Sequence, residues 1–149
     1  MVDDDELVLK SLDGLVRSAG YRSALYASAL ELLSKPLPEG VRCLVTDVRL
    51  PLMSGLDLQA ELLKRGERLP ILFITGHGDI PMSVRAMKAG AVDFLSKPFR
   101  DQDMMDAIAC ALVEDIRLKE LERELESLRA RYESLTTRER EVLQLVASG

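Results

Sequence analysis

The 149-residue sequence lacks any apolar run near the roughly 18 residues that a membrane-spanning helix needs. Its first residues are acidic, whereas a secretory signal begins with basic residues and continues with an apolar stretch. Cysteine is scarce, and Cys43 and Cys110 stand among apolar neighbours, which is typical of buried free thiols in a reducing compartment. These features predict a cytoplasmic protein that does not associate with a membrane.

Positive charge is also in short supply, because 20 Lys and Arg residues face 25 Asp and Glu residues, for a net charge of −5. A nucleic-acid-binding domain usually carries a basic stripe that neutralises phosphates. Most of the chain therefore offers no DNA-reading surface, and we expect the isolated chain not to bind DNA specifically. The hydrophobic fraction of 47% and the charged fraction of 30% are ordinary for a globular domain.

Glycine and proline are absent from residues 99–148, whereas eight of the nine glycines and all six prolines lie at or before Pro98. The first two thirds of the chain therefore turn often, and the last third need not turn at all. Gly20, Gly66 and Gly90 each follow an amphipathic stretch, which predicts that they end helices.

Short apolar runs alternate with amphipathic stretches in the first two thirds. This alternation predicts βαβ units and a parallel sheet with helices on both faces. With a stub strand at residues 1–2 and a helix that starts near Asp101, we predict five strands and five helices. Ser54 and Gly55 are a predicted helix start. The other predicted strands are residues 22–26, 42–46, 70–74 and 91–95, and the other predicted helices are 6–19, 27–33, 56–65 and 81–88.

The last third contains an apolar ladder beneath many charges, since 16 of the 28 residues from 114 to 141 are charged. Its steps of 3, 4, 3, 4 and 3 residues follow the a and d positions of a coiled coil. In a parallel pair, Arg117 would face Glu122 and Glu124 would face Arg129, and both pairs attract. The pattern predicts a homodimer, with a single solvated helix as the alternative. The ladder consists of Leu118, Leu121, Leu125, Leu128, Tyr132 and Leu135.

Polar side chains stand where the predicted strands end. An acidic triplet at residues 3–5 follows the first predicted strand, and Asp47 follows the third. Thr75 follows the fourth predicted strand, and Lys97 follows the fifth. In an open parallel sheet, function collects beyond the carboxyl ends of the strands, so we expect these groups to share one crevice. Carboxylates attract Mg²⁺, and a carboxylate can itself accept a phosphoryl group. The set predicts a phosphoryl-transfer site built around a divalent cation, in which the lysine and the hydroxyl bind phosphoryl oxygens.

Each piece has a plainer interpretation when it is taken alone. An acidic triplet before a helix usually complements the helix dipole. A threonine after an apolar strand is usually a turn former, and a Lys-Pro pair is usually a loop. The joint occurrence of these groups at several strand ends is what favours the functional interpretation.

The segments that carry these residues resemble the receiver domain of bacterial two-component response regulators, and most closely the FixJ-like branch. The resemblance covers about residues 1–110, and residues 135–149 resemble, more weakly, the start of a LuxR-type helix-turn-helix domain. The matching segments are VDDD at residues 2–5, VTDVRLPLMSG at 45–55, FITGHGD at 73–79 and AMKAGAVDFLSKPF at 86–99.

The resemblance implies a flavodoxin-like sheet of order 2-1-3-4-5 and a role for each matching residue. Asp47 would accept the phosphoryl group from a sensor histidine kinase, and Lys97 would bind the phosphoryl group. Thr75 and Phe94 would be the switch hydroxyl and the switch aromatic, and the bond between Lys97 and Pro98 would be cis. Mg²⁺ would be held by Asp3, Asp4, Asp47 and the backbone carbonyl of Arg49.

The resemblance also implies three parts: a receiver domain at residues 1–112, a helical linker at 113–134, and the truncated start of a DNA-binding domain at 135–149. Phosphorylation would switch self-association through the fourth helix, fifth strand and fifth helix, extended by the ladder. DNA would be bound only through the complete C-terminal domain. The domain would be a phosphoacceptor and not an enzyme in the usual sense.

Two other functions stay open beside this one. The first is an aspartyl-phosphate hydrolase of the haloacid-dehalogenase type, which places an acid two residues after its nucleophile, where this sequence has Arg49. The second is a module that dimerises through the ladder without phosphorylation.

Overall fold

The computed structural model describes residues 1–76 and 80–135, together with Glu139 and Glu141. The chain forms two compact units, Met1–Asp115 and Ile116–Gly149. Most of residues 135–149, the predicted start of a helix-turn-helix domain, lie outside the described residues.

Helices and strands alternate as the apolar runs predict, and each predicted helix boundary in the first unit lies within two residues of the observed one. Gly20, Gly66 and Gly90 adopt φ angles of 87°, 77° and 101° just after three of the helices, which is the left-handed conformation that ends a helix. The helices are α1 (Glu6–Ser18), α2 (Ala29–Leu33), α3 (Gly55–Lys64), α4 (Ile80–Lys88) and α5 (Asp101–Ser134), and the strands are β1 (Leu44–Asp47), β2 (Ile71–Thr75) and β3 (Asp93–Ser96).

The sheet is parallel and has the order β1-β2-β3. Val2 extends it by single bridges to Thr46 on one side and to Tyr26 on the other. The spatial sequence Tyr26, Val2, β1, β2, β3 is the order 2-1-3-4-5 expected from the sequence, so the fold class is confirmed.

The five-strand prediction is wrong in one respect, because the first two predicted strands are only bridges. Val2 donates to the Val45 carbonyl at 2.8 Å and accepts from the Asp47 amide at 3.2 Å, after which the chain turns into α1. With so few residues before that turn, the predicted strand at 22–26 finds a parallel partner only at Tyr26.

Two apolar clusters pack on opposite faces of the sheet, and β2 supplies both. Phe73 is fully buried in a cluster with Leu58 of α3 and Ala86 of α4. Leu72 and Ile74 point to the other face, where the second cluster includes side chains of α1 and α5. This alternation is why all five residues of β2 are buried, and it confirms helices on both faces.

The helix α5 is 34 residues long and changes character along its length. In the first unit it buries Met104, Ala107, Ile108, Ala111 and Asp115, whereas residues 120–134 of the second unit are exposed. None of the helices in the described residues is long and apolar enough to cross a membrane. Cys43 and Cys110 are free thiols as expected, but Cys110 lies on the solvent side of α5, so the prediction that both are buried is wrong for it.

Candidate functional site

Three predicted site residues meet at the carboxyl edge of the sheet. The Lys97 Nζ atom lies 3.0 Å from Asp47 Oδ2, with which it forms a hydrogen bond, and 3.5 Å from Asp3 Oδ2. Asp3 and Asp47 are only 2% and 8% exposed. Two buried carboxylates therefore share one ammonium group, so the three side chains together have an excess of negative charge.

The residues of the acidic triplet have different roles, because one caps α1 and another lies at the site. Asp5 caps α1 by accepting a hydrogen bond from the Leu7 amide at 2.9 Å, which is the plainer role expected of such a triplet. Asp3 Oδ1 accepts from the Asp5 amide at 2.9 Å, and this bond turns the Asp3 side chain toward Lys97. Asp4 is exposed to solvent.

The second carboxylate oxygen of Asp3 is not satisfied by a hydrogen bond from any described residue. Asp3 Oδ2 is buried and has no hydrogen-bond partner among the described residues. Burial raises the pKa of Asp3 above its ordinary value of 3.8, and the nearby charges of Asp47 and Asp4 raise it further, against the opposing effect of the Asp5 amide and Lys97. A buried anionic oxygen without a donor is costly, and it is the kind of atom that a cation satisfies.

Asp47 is held from two sides at the end of β1. Its Oδ1 atom accepts a hydrogen bond from the Arg49 amide at 2.9 Å, while Oδ2 contacts Lys97. The start of α3 packs directly behind it, since a Cβ atom added at Gly55 would lie 2.3 Å from the Asp47 carbonyl oxygen. Only glycine permits this approach, which the sequence indicated merely as a helix start.

Thr75 and Lys97 are joined through the backbone of the sheet edge. The Lys97 amide donates to the Thr75 carbonyl at 2.7 Å, and Thr75 is 1% exposed. The bond between Lys97 and Pro98 is cis, as the resemblance implied. Burial lowers the pKa of Lys97, but the hydrogen bond and charge of Asp47 and the charge of Asp3 outweigh burial and raise it above 10.5, so Lys97 is a cation at neutral pH.

Phe94 lies on β3 beside the strand that ends in Thr75. It pairs in register with Phe73, two positions before Thr75, and it is half-buried against the cluster that contains Ala86 of α4. A side chain that is neither fully buried nor free can adopt a second packing position, which is what a switch residue requires.

The donors at this edge fit a magnesium ion. Asp3 Oδ2 is a buried oxygen without a hydrogen bond in the described part of the chain, 3.5 Å from the Lys97 Nζ atom, and Asp47 supplies a second carboxylate. Mg²⁺ is typically held by one or two carboxylates together with waters and phosphate oxygens. Within residues 1–76 and 80–135 no three His, Cys, Asp or Glu side chains cluster closely enough to hold a metal ion, so Asp3, Asp4 and Asp47 do not form a group of three carboxylates.

The ladder lies on the exposed half of α5, in the second unit. Leu121, Leu125, Leu128 and Tyr132 are between 38% and 58% exposed, and Leu118 and Leu135 are half-buried. A row of large apolar side chains at this exposure is unusual for the surface of a lone helix.

One buried charged residue was missed by the sequence reasoning. Asp115 is 0% exposed on α5 and accepts a hydrogen bond from the Arg42 amide at 2.8 Å. It lies in a run of charged residues that hides its burial, although its spacing from Met104, Ile108 and Ala111 places it on the same helix face.

Known proteins resemble this chain over most of its length. The response regulator receiver domain family matches residues 1–109. Nodulation protein W of Bradyrhizobium diazoefficiens is 50% identical over all 149 residues, which cover 66% of that protein. The transcriptional regulatory protein FixJ of Azorhizobium caulinodans is 39% identical over the same residues, which cover 71% of it.

Solved structures agree with the sequence matches. The structure of response regulator StyR superposes with a TM-score of 0.86 at 45% sequence identity, over 99% of this chain and 75% of that one. The chain thus spans about two thirds to three quarters of the length of these relatives.

Proposed function

We propose that this chain, which belongs to the response regulator receiver family and is close to FixJ and nodulation protein W, accepts a phosphoryl group on Asp47. The FixJ-like resemblance seen in the sequence is therefore confirmed. A receiver of this family is a phosphoacceptor rather than a classical enzyme, and it works with a cognate sensor kinase.

The observation that carries this proposal is the shared ammonium of Lys97, 3.0 Å from Asp47 and 3.5 Å from Asp3. An Asp47 carboxylate oxygen attacks the phosphorus atom of the donor, the bond from phosphorus to the leaving group breaks, and its electron pair departs with that group. Lys97 stays protonated and moves its hydrogen bond to the transferred group.

Asp3 and Asp47 are the residues that would hold Mg²⁺, with the Arg49 carbonyl as the further ligand that the family resemblance implies. When bound, the ion supplies positive charge that offsets the carboxylates and the phosphoryl oxygens. Asp4 contributes through its charge, which acts on Asp3 from the exposed side. Arg49 holds Asp47 Oδ1 through its amide, so this loop orients the nucleophile as well as the ion.

The hydrolase alternative lacks its general acid. In such an enzyme the residue two positions after the nucleophile protonates the leaving group and later activates water, whereas Arg49 can do neither. A phosphorylated Asp47 in this chain would therefore persist, as a signal requires.

Incubation with Mg²⁺ and acetyl phosphate, followed by intact mass spectrometry over time, distinguishes the three functions. We expect a lasting adduct of about 80 Da, the mass of one phosphoryl group. Asp47→Asn should abolish it, and Asp93→Asn, at an exposed carboxylate on β3, should not. Rapid turnover of the donor without a lasting adduct would favour the hydrolase, and no reaction would favour the dimerisation module.

A second part of the proposal concerns the readout. When Asp47 is phosphorylated, the Thr75 hydroxyl binds a phosphoryl oxygen and Phe94 moves into the vacated space, which repacks α4 and β3. Two copies then associate through α4, β3 and α5 and through the exposed ladder in parallel register. The row of exposed leucines supports this, because pairing would remove apolar surface from water at roughly 25 cal/mol per Å².

Sedimentation with and without acetyl phosphate tests the readout. Phosphorylation should strengthen the dimer, and the double variant Leu121→Asp/Leu128→Asp should weaken it in both states. Equal association of phosphorylated and unphosphorylated protein would refute the switch, and an unaffected double variant would refute the ladder.

The setting of this switch follows from the same features. We assign the chain to the cytoplasm, where a sensor histidine kinase phosphorylates it and a helix-turn-helix domain starting at residue 135 binds DNA once that domain is complete. The net charge of −5 supports the expectation that residues 1–149 alone do not bind DNA specifically. A gel shift with a target sequence that persists at high salt would contradict this.

A further inference from the structure

The most deeply buried charged side chain of the first unit plays no part in phosphoryl transfer. Asp115 is 0% exposed and lies at the amino end of β1, whereas Asp47 lies at the carboxyl end of the same strand. A buried carboxylate is destabilising unless hydrogen bonds satisfy it, so the partners of Asp115 decide what it does at this position.

The partner of Asp115 lies two residues before β1 and is itself held by side-chain contacts. Asp115 Oδ2 accepts from the Arg42 amide at 2.8 Å, across 73 residues of sequence. The Arg42 side chain pairs with Glu67 Oε2 at 2.8 Å and donates to the Pro38 carbonyl at 3.1 Å. Two residues later, the Leu44 amide donates to the Pro70 carbonyl at 2.9 Å, where β1 begins to pair with β2. The bond therefore ties α5 to the chain just before β1.

Asp115 lies close to the start of the ladder along α5. It is the last buried residue of α5 in the part of the chain that the structure describes, and Leu118, the first ladder residue, follows one turn later. Residues three or four apart lie on the same helix face. Asp115 and Leu118 therefore lie on the same face of α5, which is one continuous helix from Asp101 to Ser134.

We propose that Asp115 is an anchor that couples the ladder to the receiver, by holding the last buried turn of α5 against the amino end of β1. The proposal rests on the phosphorylation-dependent association proposed above. Repacking of the first unit then reaches the ladder along α5. Without the anchor this turn detaches, and phosphorylation of Asp47 no longer changes how two ladders meet.

Two substitutions separate the hydrogen bond from general stability. Asp115→Ala removes the acceptor, whereas Asp115→Asn keeps an oxygen that accepts from the Arg42 amide. Glu120→Ala is the matched control, because it removes an exposed carboxylate from the same helix outside the ladder. The measurements are the phosphorylation rate with Mg²⁺ and acetyl phosphate, dimer dissociation constants in both phosphorylation states, and hydrogen exchange of the Arg42 amide.

We expect all three variants to be phosphorylated within about twofold of the wild-type rate. The ratio of the two dissociation constants, expected to be at least about tenfold in wild type, should fall below about twofold in Asp115→Ala alone. The Arg42 amide should exchange faster in Asp115→Ala than in wild type. Asp115→Asn should retain the protection of this amide and most of the wild-type ratio of dissociation constants.

The proposal would be overturned if Asp115→Ala kept the wild-type ratio of the two dimer dissociation constants. It would also be overturned if Glu120→Ala lost as much of this ratio as Asp115→Ala does. If Asp115→Ala does not fold, a wild-type ratio with loss of Arg42 protection in Asp115→Asn would overturn it as well. If wild type itself shows no phosphorylation-dependent association, the proposed readout fails and the coupling role fails with it. Exchange of the Arg42 amide then still decides whether Asp115 anchors α5.

Discussion

The two ends of β1 each place a buried carboxylate against a basic residue, and they do so to opposite effect. At the carboxyl end, Asp3 shares the Lys97 ammonium group with Asp47, and burial raises the pKa of Asp3. At the amino end, Asp115 is buried more completely and accepts a backbone hydrogen bond at 2.8 Å. We propose that the carboxylate beside Lys97 faces a cation and a phosphoryl group, and that the carboxylate beside the Arg42 amide is a structural tie.

The largest effect should come from crowding the carboxyl end. Gly55→Ala places a methyl group 2.3 Å from the Asp47 carbonyl oxygen, so either β1 or α3 must move. We expect the free energy of unfolding to fall by about 1–3 kcal/mol and phosphorylation of Asp47 to slow with it. Urea denaturation and intact mass spectrometry measure the two effects.

Gly14 provides the control, because it lies within α1 and an added methyl group would meet nothing within 4 Å. Gly14→Ala should raise the free energy of unfolding by about 0.5–1 kcal/mol, since alanine favours a helix interior over glycine. Equal stability of the two alanine variants would show that α3 does not approach Asp47 as described.

An intermediate effect, of opposite sign, should follow from removing the unsatisfied charge. Asp3→Asn keeps an oxygen for the Asp5 amide but eliminates the buried anion, so the protein without Mg²⁺ should become more stable at neutral pH while its Mg²⁺ affinity falls. Urea denaturation at several pH values and calorimetric Mg²⁺ titration check both directions.

The sign follows from the raised pKa of Asp3. Folded protein retains the Asp3 proton to higher pH than unfolded protein does, so wild type loses stability as the pH rises from 3.8 through the raised pKa. The advantage of Asp3→Asn should be absent below 3.8 and complete above the raised pKa. A variant that is less stable than wild type at neutral pH would mean that Asp3 is a structural residue like Asp115.

Much of this organisation was predictable from local sequence. The apolar runs of β1, β2 and β3, the glycines that end α1, α3 and α4, and the polar residues that follow each strand all carry a short-range signal. The resemblance added the residue roles and the cis bond.

The rest depends on contacts between distant parts of the chain. The burial of Asp115 requires Arg42, 73 residues away, and the exposure of Asp4 depends on how Asp5 caps α1. The predicted strand at residues 22–26 is reduced to one bridge because its partner is too short. Charge patterns and hydrophobic periodicity do not indicate which distant residues will be in contact. They also do not indicate how long a strand at a sheet edge will be.

The smallest effect should appear at the amino end of β1. Burial raises the pKa of the Cys43 thiol to about 11, and the charge of Asp115 raises it further. In a Cys110→Ser background, alkylation of Cys43 by iodoacetamide should therefore be slow at pH 8 and accelerate only toward pH 11. Asp115→Asn should move this acceleration to slightly lower pH, and a move to higher pH would contradict the charge assigned to Asp115.

The central claim is that Asp47, beside Asp3 and Lys97, is the phosphoacceptor of a magnesium-dependent site. Its most direct test is to locate the phosphoryl group by tandem mass spectrometry after incubation with acetyl phosphate, with and without Mg²⁺. We expect a single modified position, Asp47, and only when Mg²⁺ is present. Modification of another residue, or of Asp47 to the same extent without Mg²⁺, would contradict the claim.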